Sequence, residues 1–228
     1  MASFLVKLIK CEEIAAGTMA FYFEKPANFT FIAGQHAVLE LINPPETDGE
    51  GNKRIFCFAS APCEKDLMFA TRMRDTAFKR VLRTIPIGTE VEIDGPYGSF
   101  VLHKETSKPA VFLAGGIGIT PIRSMLVQAA CENSSREFYL LYSNRKPEDS
   151  AYLAELKNLA LAHYKFIPIM SDAEGYIDKS KLAKRLGNLA GPIYYAVGPP
   201  RFVLAMRGVL NEVGIDPNDI KTDQFSGY

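Results

Sequence analysis

The sequence has 228 residues, enough for one large or two small hydrophobic cores. Lysine plus arginine and aspartate plus glutamate both total 26, so no bulk charge points to nucleic acid or an anionic membrane surface. The four cysteines (Cys11, Cys57, Cys63, Cys131) form no C-x-x-C pair, so neither a zinc site nor an iron–sulfur cluster is expected.

The first ten residues are too short and too interrupted by lysine for a signal peptide or membrane span, and they read as a first strand. Scattered cysteines and no secretory signal together favour a cytoplasmic setting. Strands are predicted at 38–42, 67–73 and 90–93, with a short helix within 74–83 and a turn at Gly95-Pro96-Tyr97-Gly98. Short strands at this spacing predict a small antiparallel β-barrel. The polar stretch 103–109 ends in proline and reads as a linker. After it, strands at 110–113, 138–142, 164–170 and 193–197 alternate with helices starting at Thr120-Pro121 and covering 150–163, 179–186 and 201–213. That alternation predicts an α/β domain on a parallel sheet. Two domains are expected, 1–105 and 106–228.

Four constellations carry the chemistry. The strand at 110–113 feeds Gly115, Gly116 and Gly118 and then Thr120-Pro121 at a helix start. Glycines let a backbone approach a ligand closely, and a helix N-terminus attracts phosphate. The same residues also suit a tight turn with no ligand. The run lacks the third glycine of the dinucleotide fingerprint and the Gly-Lys-Ser/Thr of a phosphate loop. Ser143 and Arg145-Lys146 follow the second strand of this domain, where ligands of such sheets bind. A hydroxyl and a guanidinium there suit a 2′-phosphate, and equally a solvated helix start. In Arg54-Ile55-Phe56-Cys57-Phe58, strand alternation puts Arg54, Phe56 and Phe58 on one face and Cys57 on the other. Such an arginine can grip a phosphate or simply face solvent. Gly198-Pro199-Pro200-Arg201 reads as a second loop at the same sheet edge as the glycine run.

Taken in order, these pieces resemble the ferredoxin–NADP⁺ reductase-like family of flavin oxidoreductases. Arg54-x-Phe56-Cys57-x-x-Ser60 is similar to its Arg-x-Tyr-Ser-x-x-Ser flavin motif, and Gly95-Pro96-Tyr97-Gly98-Ser99-Phe100 to the turn closing its barrel. Residues 115–121 resemble its nicotinamide-nucleotide loop, Val197-Gly198-Pro199-Pro200 its Cys-Gly-Pro-Pro, and Phe225-Ser226-Gly227-Tyr228 its aromatic end. The resemblance implies a flavin-binding antiparallel β-barrel followed by a nucleotide-binding α/β domain. It implies that Arg54 pairs with the flavin pyrophosphate, Phe56 packs along the ribityl chain and ring beside Phe58, and Cys57 lies near flavin N5. Thr71, Arg72 and Met73 would offer backbone groups to the pyrimidine edge, and Lys79 would stand beside the pyrophosphate where the family has a serine. Gly115, Gly116, Gly118, Thr120, Ser143, Arg145, Gly198 and Pro199 would hold nicotinamide nucleotide, and Phe225 or Tyr228 would stack on the flavin.

Three departures thin the polar groups around N5: Cys57 for serine, Val197 for cysteine and Ile117 for threonine. The cofactors carry hydride chemistry, so the scaffold is expected to remain competent. The resemblance implies an oxidoreductase using FAD with NADPH or NADH and passing electrons to a separate acceptor (an iron–sulfur protein, a flavodoxin or a small molecule). The alternatives are a flavin reductase using free flavin as substrate, and a flavin-binding sensor or regulatory subunit. His36, His103 and His163 are dispersed and read as structural or exposed.

Overall fold

The computed structural model describes residues 3–187 and 190–225. The first half contributes β1 (Ser3–Ala15), β2 (Thr18–Phe23), β3 (His36–Leu41), β4 (Lys53–Cys57), β5 (Leu67–Arg72), α1 (Ala77–Thr84) and β6 (Glu90–Tyr97). The six strands form one sheet in the order β4-β3-β6-β1-β2-β5, antiparallel at every pairing. Alternation drives its curl. Along β3 and β6 every second residue is buried, and those residues (Ala37, Leu39, Leu41, Val91, Ile93) enclose a core with Leu8, Phe21, Phe23, Phe58 and Phe69. The helix α1 closes this half-barrel with Phe78, Val81 and Leu82, and the Thr76 side chain caps its start by accepting from the Lys79 N–H.

The second half contributes β7 (Ala110–Gly115), α2 (Ile119–Cys131), β8 (Phe138–Asn144), α3 (Leu153–Lys157), β9 (Tyr164–Met170), α4 (Ser171–Glu174), α5 (Lys179–Leu186), β10 (Ile193–Gly198), α6 (Pro200–Glu212) and β11 (Ile220–Gln224). Its sheet runs β11-β10-β7-β8-β9, parallel throughout. Strands β7 and β10 are buried on both faces, as a sheet covered on two sides requires. The architecture is therefore an antiparallel half-barrel followed by a parallel α/β sheet, as the sequence predicts.

The two sheets share a core: Ala20, Ala59, Met68 and Ala70 of the first half pack with Ile122, Met125 and Leu126 of α2. The buried Arg123 ties the halves further, donating to the Ala59 carbonyl at 2.7 Å and pairing with Glu64 at 2.8 Å and Glu155 at 2.5 Å. Beside it, a disulfide joins Cys63 to Cys131, 68 residues apart and in no recognisable sequence motif. Scattered spacing therefore concealed a pair, and the cysteines give no support to a reducing compartment.

Several elements differ from expectation. The helix predicted over 150–163 is confined to Leu153–Lys157, because Tyr152 at its start and His163 before β9 sit at positive φ and the chain must turn back to the sheet. Gly95 and Pro96 lie within β6 instead of a turn. Strands β2 and β11 were not anticipated. No helix among the described residues is long and apolar enough to cross a membrane.

Candidate functional site

The carboxyl ends of β7, β8, β10 and β11 converge on one edge, and two loops there meet backbone to backbone. Gly116–Gly118 forms a single 3-10 turn between β7 and α2. A Cβ on Gly118 would lie 2.6 Å from the Val197 carbonyl oxygen and 2.7 Å from Gly198 Cα; one on Gly198 would lie 2.8 Å from the Gly115 carbonyl oxygen. Gly115 is glycine for another reason, because Phe202 of α6 fills the space a Cβ would need. Of the four glycines in these two loops, Gly116 combines a left-handed φ of +55° with open space around its Cα. The Thr120 hydroxyl turns inward and donates to the Ile117 carbonyl at 3.2 Å. Pro199 is exposed at the tip of the second loop.

At the end of β8, Ser143 is buried while Arg145 and Lys146 are exposed, so two cations stand at the sheet edge. Between them the buried Asn144 carboxamide, beside the Tyr142 hydroxyl, makes no hydrogen bond of ordinary geometry. Sequence reasoning passed over Asn144. A buried amide with no well-made hydrogen bond at a strand's carboxyl end suits a polar ligand. Together with the open Gly116 and the α2 N-terminus, this donor set fits a nucleotide phosphate and its attached ring.

Strand alternation correctly separates the faces of β4. Phe56 and Phe58, implied to line a bound ring, instead pack into the half-barrel against Phe69, with ring centroids 6.1 and 5.0 Å away. Cys57 points the other way, toward β11, where its thiol donates to an Asp223 carboxylate oxygen at 3.7 Å. Burial pushes the Cys57 thiol well above its usual range, and the neighbouring Asp223 charge adds to this. The thiol stays protonated and is a hydrogen-bond donor here, not a thiolate. Burial likewise raises the Asp223 carboxyl, opposed by the Gln224 N–H and by His36. Asp223 and His36, with Gly98, Ser99, Phe100, Lys221 and Thr222, line a cleft of about 460 Å³ between the two sheets. No local motif announces Asp223 or His36, since the fold alone brings them to Cys57. Phe225 follows β11, its N–H donating to the Gly198 carbonyl at 3.0 Å, which places it beside the β10–α6 loop. Tyr228 lies outside the described residues.

A second cluster surrounds the start of α1. Arg74, Lys79, Arg80 and Arg83 line a pocket of about 250 Å³ with Met73 and Asp75. Lys79 is only 4% exposed and donates to the Arg72 carbonyl at 2.8 Å. Burial, then the charges of Arg74 and Arg54, lower its pKa to about 8. The Arg72 carbonyl and the Met73 N–H, implied to meet a ligand, are thus engaged by Lys79 and by the Gly17 carbonyl, and Thr71 is buried. Arg54 lies over the Phe78 ring, its guanidinium carbon 4.9 Å from the centroid. Four cations of one pocket and a helix N-terminus suit a phosphate. Carboxylates of the loop between β3 and β4 already stand there: the Ala77 N–H donates to Asp48 at 2.9 Å, and Glu50 pairs with Arg54 at 2.9 Å.

Residues 112–208 match the family described as the oxidoreductase NAD-binding domain. The reductase component of propane 2-monooxygenase from Rhodococcus jostii is 26% identical over 216 residues, 89% of this chain and 57% of that protein. Methane monooxygenase component C from Methylosinus trichosporium is 28% identical over 69% of this chain and 47% of its own length. The chain thus spans less than two thirds of the length of these curated relatives. Among solved structures, a ferredoxin NADP⁺ reductase from Neisseria gonorrhoeae with bound FAD and NADP superposes with a TM-score of 0.82 at 19% identity, covering 97% of this chain and 98% of that one. Residues 112–208 thus match an oxidoreductase NAD-binding domain, and the chain shares its two-domain fold with the ferredoxin NADP⁺ reductase.

Proposed function

We propose that this protein is an NAD(P)H-dependent flavin oxidoreductase that moves reducing equivalents from nicotinamide through FAD to a separate acceptor. The observation that carries the reading is the junction of the Gly116–Gly118 turn with Gly198, set beside the Cys57–Asp223 pair. Nicotinamide and flavin would supply hydride and electron chemistry when bound. The chain's own part is alignment. Gly116 and Asn144 would seat the nucleotide, Arg145 would meet a ribose phosphate, and the protonated Cys57 thiol would have to turn its one proton from Asp223 to act as a weak donor toward the flavin. Phe225 would cover the ring from the Gly198 side.

Relatives named as reductase components of propane 2-monooxygenase and terephthalate 1,2-dioxygenase support an oxygenase partner as the acceptor. Anaerobic mixing of the purified yellow protein with NADH and, separately, NADPH tests the reading: flavin absorbance bleaches with at least one donor. No bleaching with either overturns it.

One observation favours a second reading, a reductase that exchanges free flavin. Asp48 and Glu50 already face the cations that a flavin phosphate would need. Flavin lost on desalting, with activity restored by added FAD or FMN, supports exchange; flavin retained supports a resident cofactor.

A further inference from the structure

The loop 43–52 carries three carboxylates, and each is docked on the α1–β4 corner. Glu46 grips Arg80 through both carboxylate oxygens, at 3.0 and 2.6 Å. One Asp48 oxygen accepts from the Ala77 N–H at 2.9 Å and the other from the Glu50 N–H at 3.0 Å. Glu50 meets the Arg54 guanidinium at 2.9 Å, with Asp48 at 3.6 Å from the same nitrogen. The other terminal nitrogen of Arg54 donates to the Glu50, Gly51 and Lys53 carbonyls at 3.0, 3.1 and 2.7 Å. So two acidic side chains, two residues apart, cap a helix-start N–H and pair by charge with one arginine nitrogen that makes no hydrogen bond of ordinary geometry. A diphosphate presents the same pattern, two anionic groups on a short flexible link. The pocket beside them holds further cations in Arg74, Lys79 and Arg83.

We propose that Asp48 and Glu50 act as a built-in stand-in for the cofactor's diphosphate, which must displace them from Ala77 and Arg54 to bind. This rests on the flavin reading above, and it makes the loop the residue set that governs affinity for phosphorylated against unphosphorylated flavin. Displacement exchanges one set of charged hydrogen bonds for another, so the net gain from a diphosphate is the difference between them. The loop therefore lowers affinity for FAD and ADP while leaving riboflavin, which has no phosphate, untouched.

The test measures binding of FAD, ADP and riboflavin to flavin-stripped protein by calorimetry and flavin fluorescence. In the Asp48→Asn/Glu50→Gln double variant, FAD and ADP are expected to bind about tenfold more tightly and riboflavin equally well. Glu50→Gln alone, which leaves the Asp48 cap in place, is expected to give a smaller gain in the same direction. Hydrogen exchange in the unaltered protein gives an independent readout: ADP should speed exchange across 43–52 while slowing it at 76–80. Unchanged or weaker ADP affinity in both variants, or slower exchange in the loop on ADP binding, overturns the proposal. Failure of the flavin reading has a different signature, in which riboflavin and FAD do not bind but ADP still gains affinity in the variants.

Discussion

Gly118 and Gly198 lock two loops together: a Cβ on Gly118 would come within 2.6 Å of the Val197 carbonyl oxygen and 2.7 Å of Gly198 Cα, all backbone atoms that no side-chain rotation can move. Gly118→Ala must therefore part the β7–α2 and β10–α6 loops. A loss of about 1–3 kcal/mol in stability is expected, of the size seen for overpacking. Gly116→Ala meets no neighbour and bears only the left-handed backbone cost of about 1–2 kcal/mol. The two differ in binding. In calorimetric titrations with NADPH and NADH, Gly118→Ala should lose nucleotide affinity at least as much as Gly116→Ala, because it moves both loops. Full affinity in Gly118→Ala would mean that the junction does not shape the nucleotide seat.

The Cys63–Cys131 disulfide closes a 68-residue separation and staples the first half to the end of α2. Constraining the unfolded chain over such a span contributes typically about 2–4 kcal/mol. Cys63→Ser is expected to lower the melting temperature in non-reducing buffer and to abolish the shift that a dithiol reductant causes in the parent protein. Peptide mapping without reduction should recover 63 and 131 in one linked fragment. Two free thiols at these positions, with no effect of reductant on melting, would count against the staple.

What was legible in the sequence was local. The run 110–121 announces its strand, turn and helix because apolar residues, glycines and proline follow one another within a dozen positions. Arg54, Phe56 and Cys57 reveal their faces by alternation, though alternation cannot say which face meets the core; here the phenylalanines do. The Cys57–Asp223 pair spans 166 positions and carries no pattern, since a single aspartate in the polar strand β11 looks like surface. Strand β11 itself has no apolar period because it is the sheet's edge. The 43–52 loop reads as a turn rich in proline and glycine, and its carboxylates acquire meaning only where the fold sets them against α1.

Asp223 offers a pH test of the Cys57 contact. Burial raises its folded pKa, so between the ordinary carboxylate value and the raised one the native state binds more protons than the unfolded chain. Stability due to this group is therefore present at low pH and is lost as pH rises through that window. Asp223→Asn, which keeps the shape and removes the charge, should be more stable than the parent at neutral pH and should match it more closely near pH 4. Urea denaturation at a series of pH values reads this directly. A variant less stable at neutral pH would show that the carboxylate is held by stronger partners than Cys57, His36 and the Gln224 N–H.

Lys79 gives the complementary case at the start of α1. Its folded pKa of about 8 lies below the ordinary lysine value of 10.5, owing first to burial and then to Arg74 and Arg54, with Glu50 opposing. Between those two values the unfolded chain binds more protons, so this group's contribution to stability rises with pH across about 8 to 10.5. Lys79→Met should flatten that part of the parent's stability profile and raise stability at neutral pH, where the parent bears the cost of a buried charge. A bound diphosphate reverses the balance by favouring the ammonium form. Binding of ADP to flavin-stripped protein at pH 8.5 should then take up a proton, measurable as a dependence of the calorimetric enthalpy on the buffer's ionisation heat. The uptake should vanish in Lys79→Met. An equal uptake in that variant would move the titrating group elsewhere and leave Lys79 a structural donor to the Arg72 carbonyl.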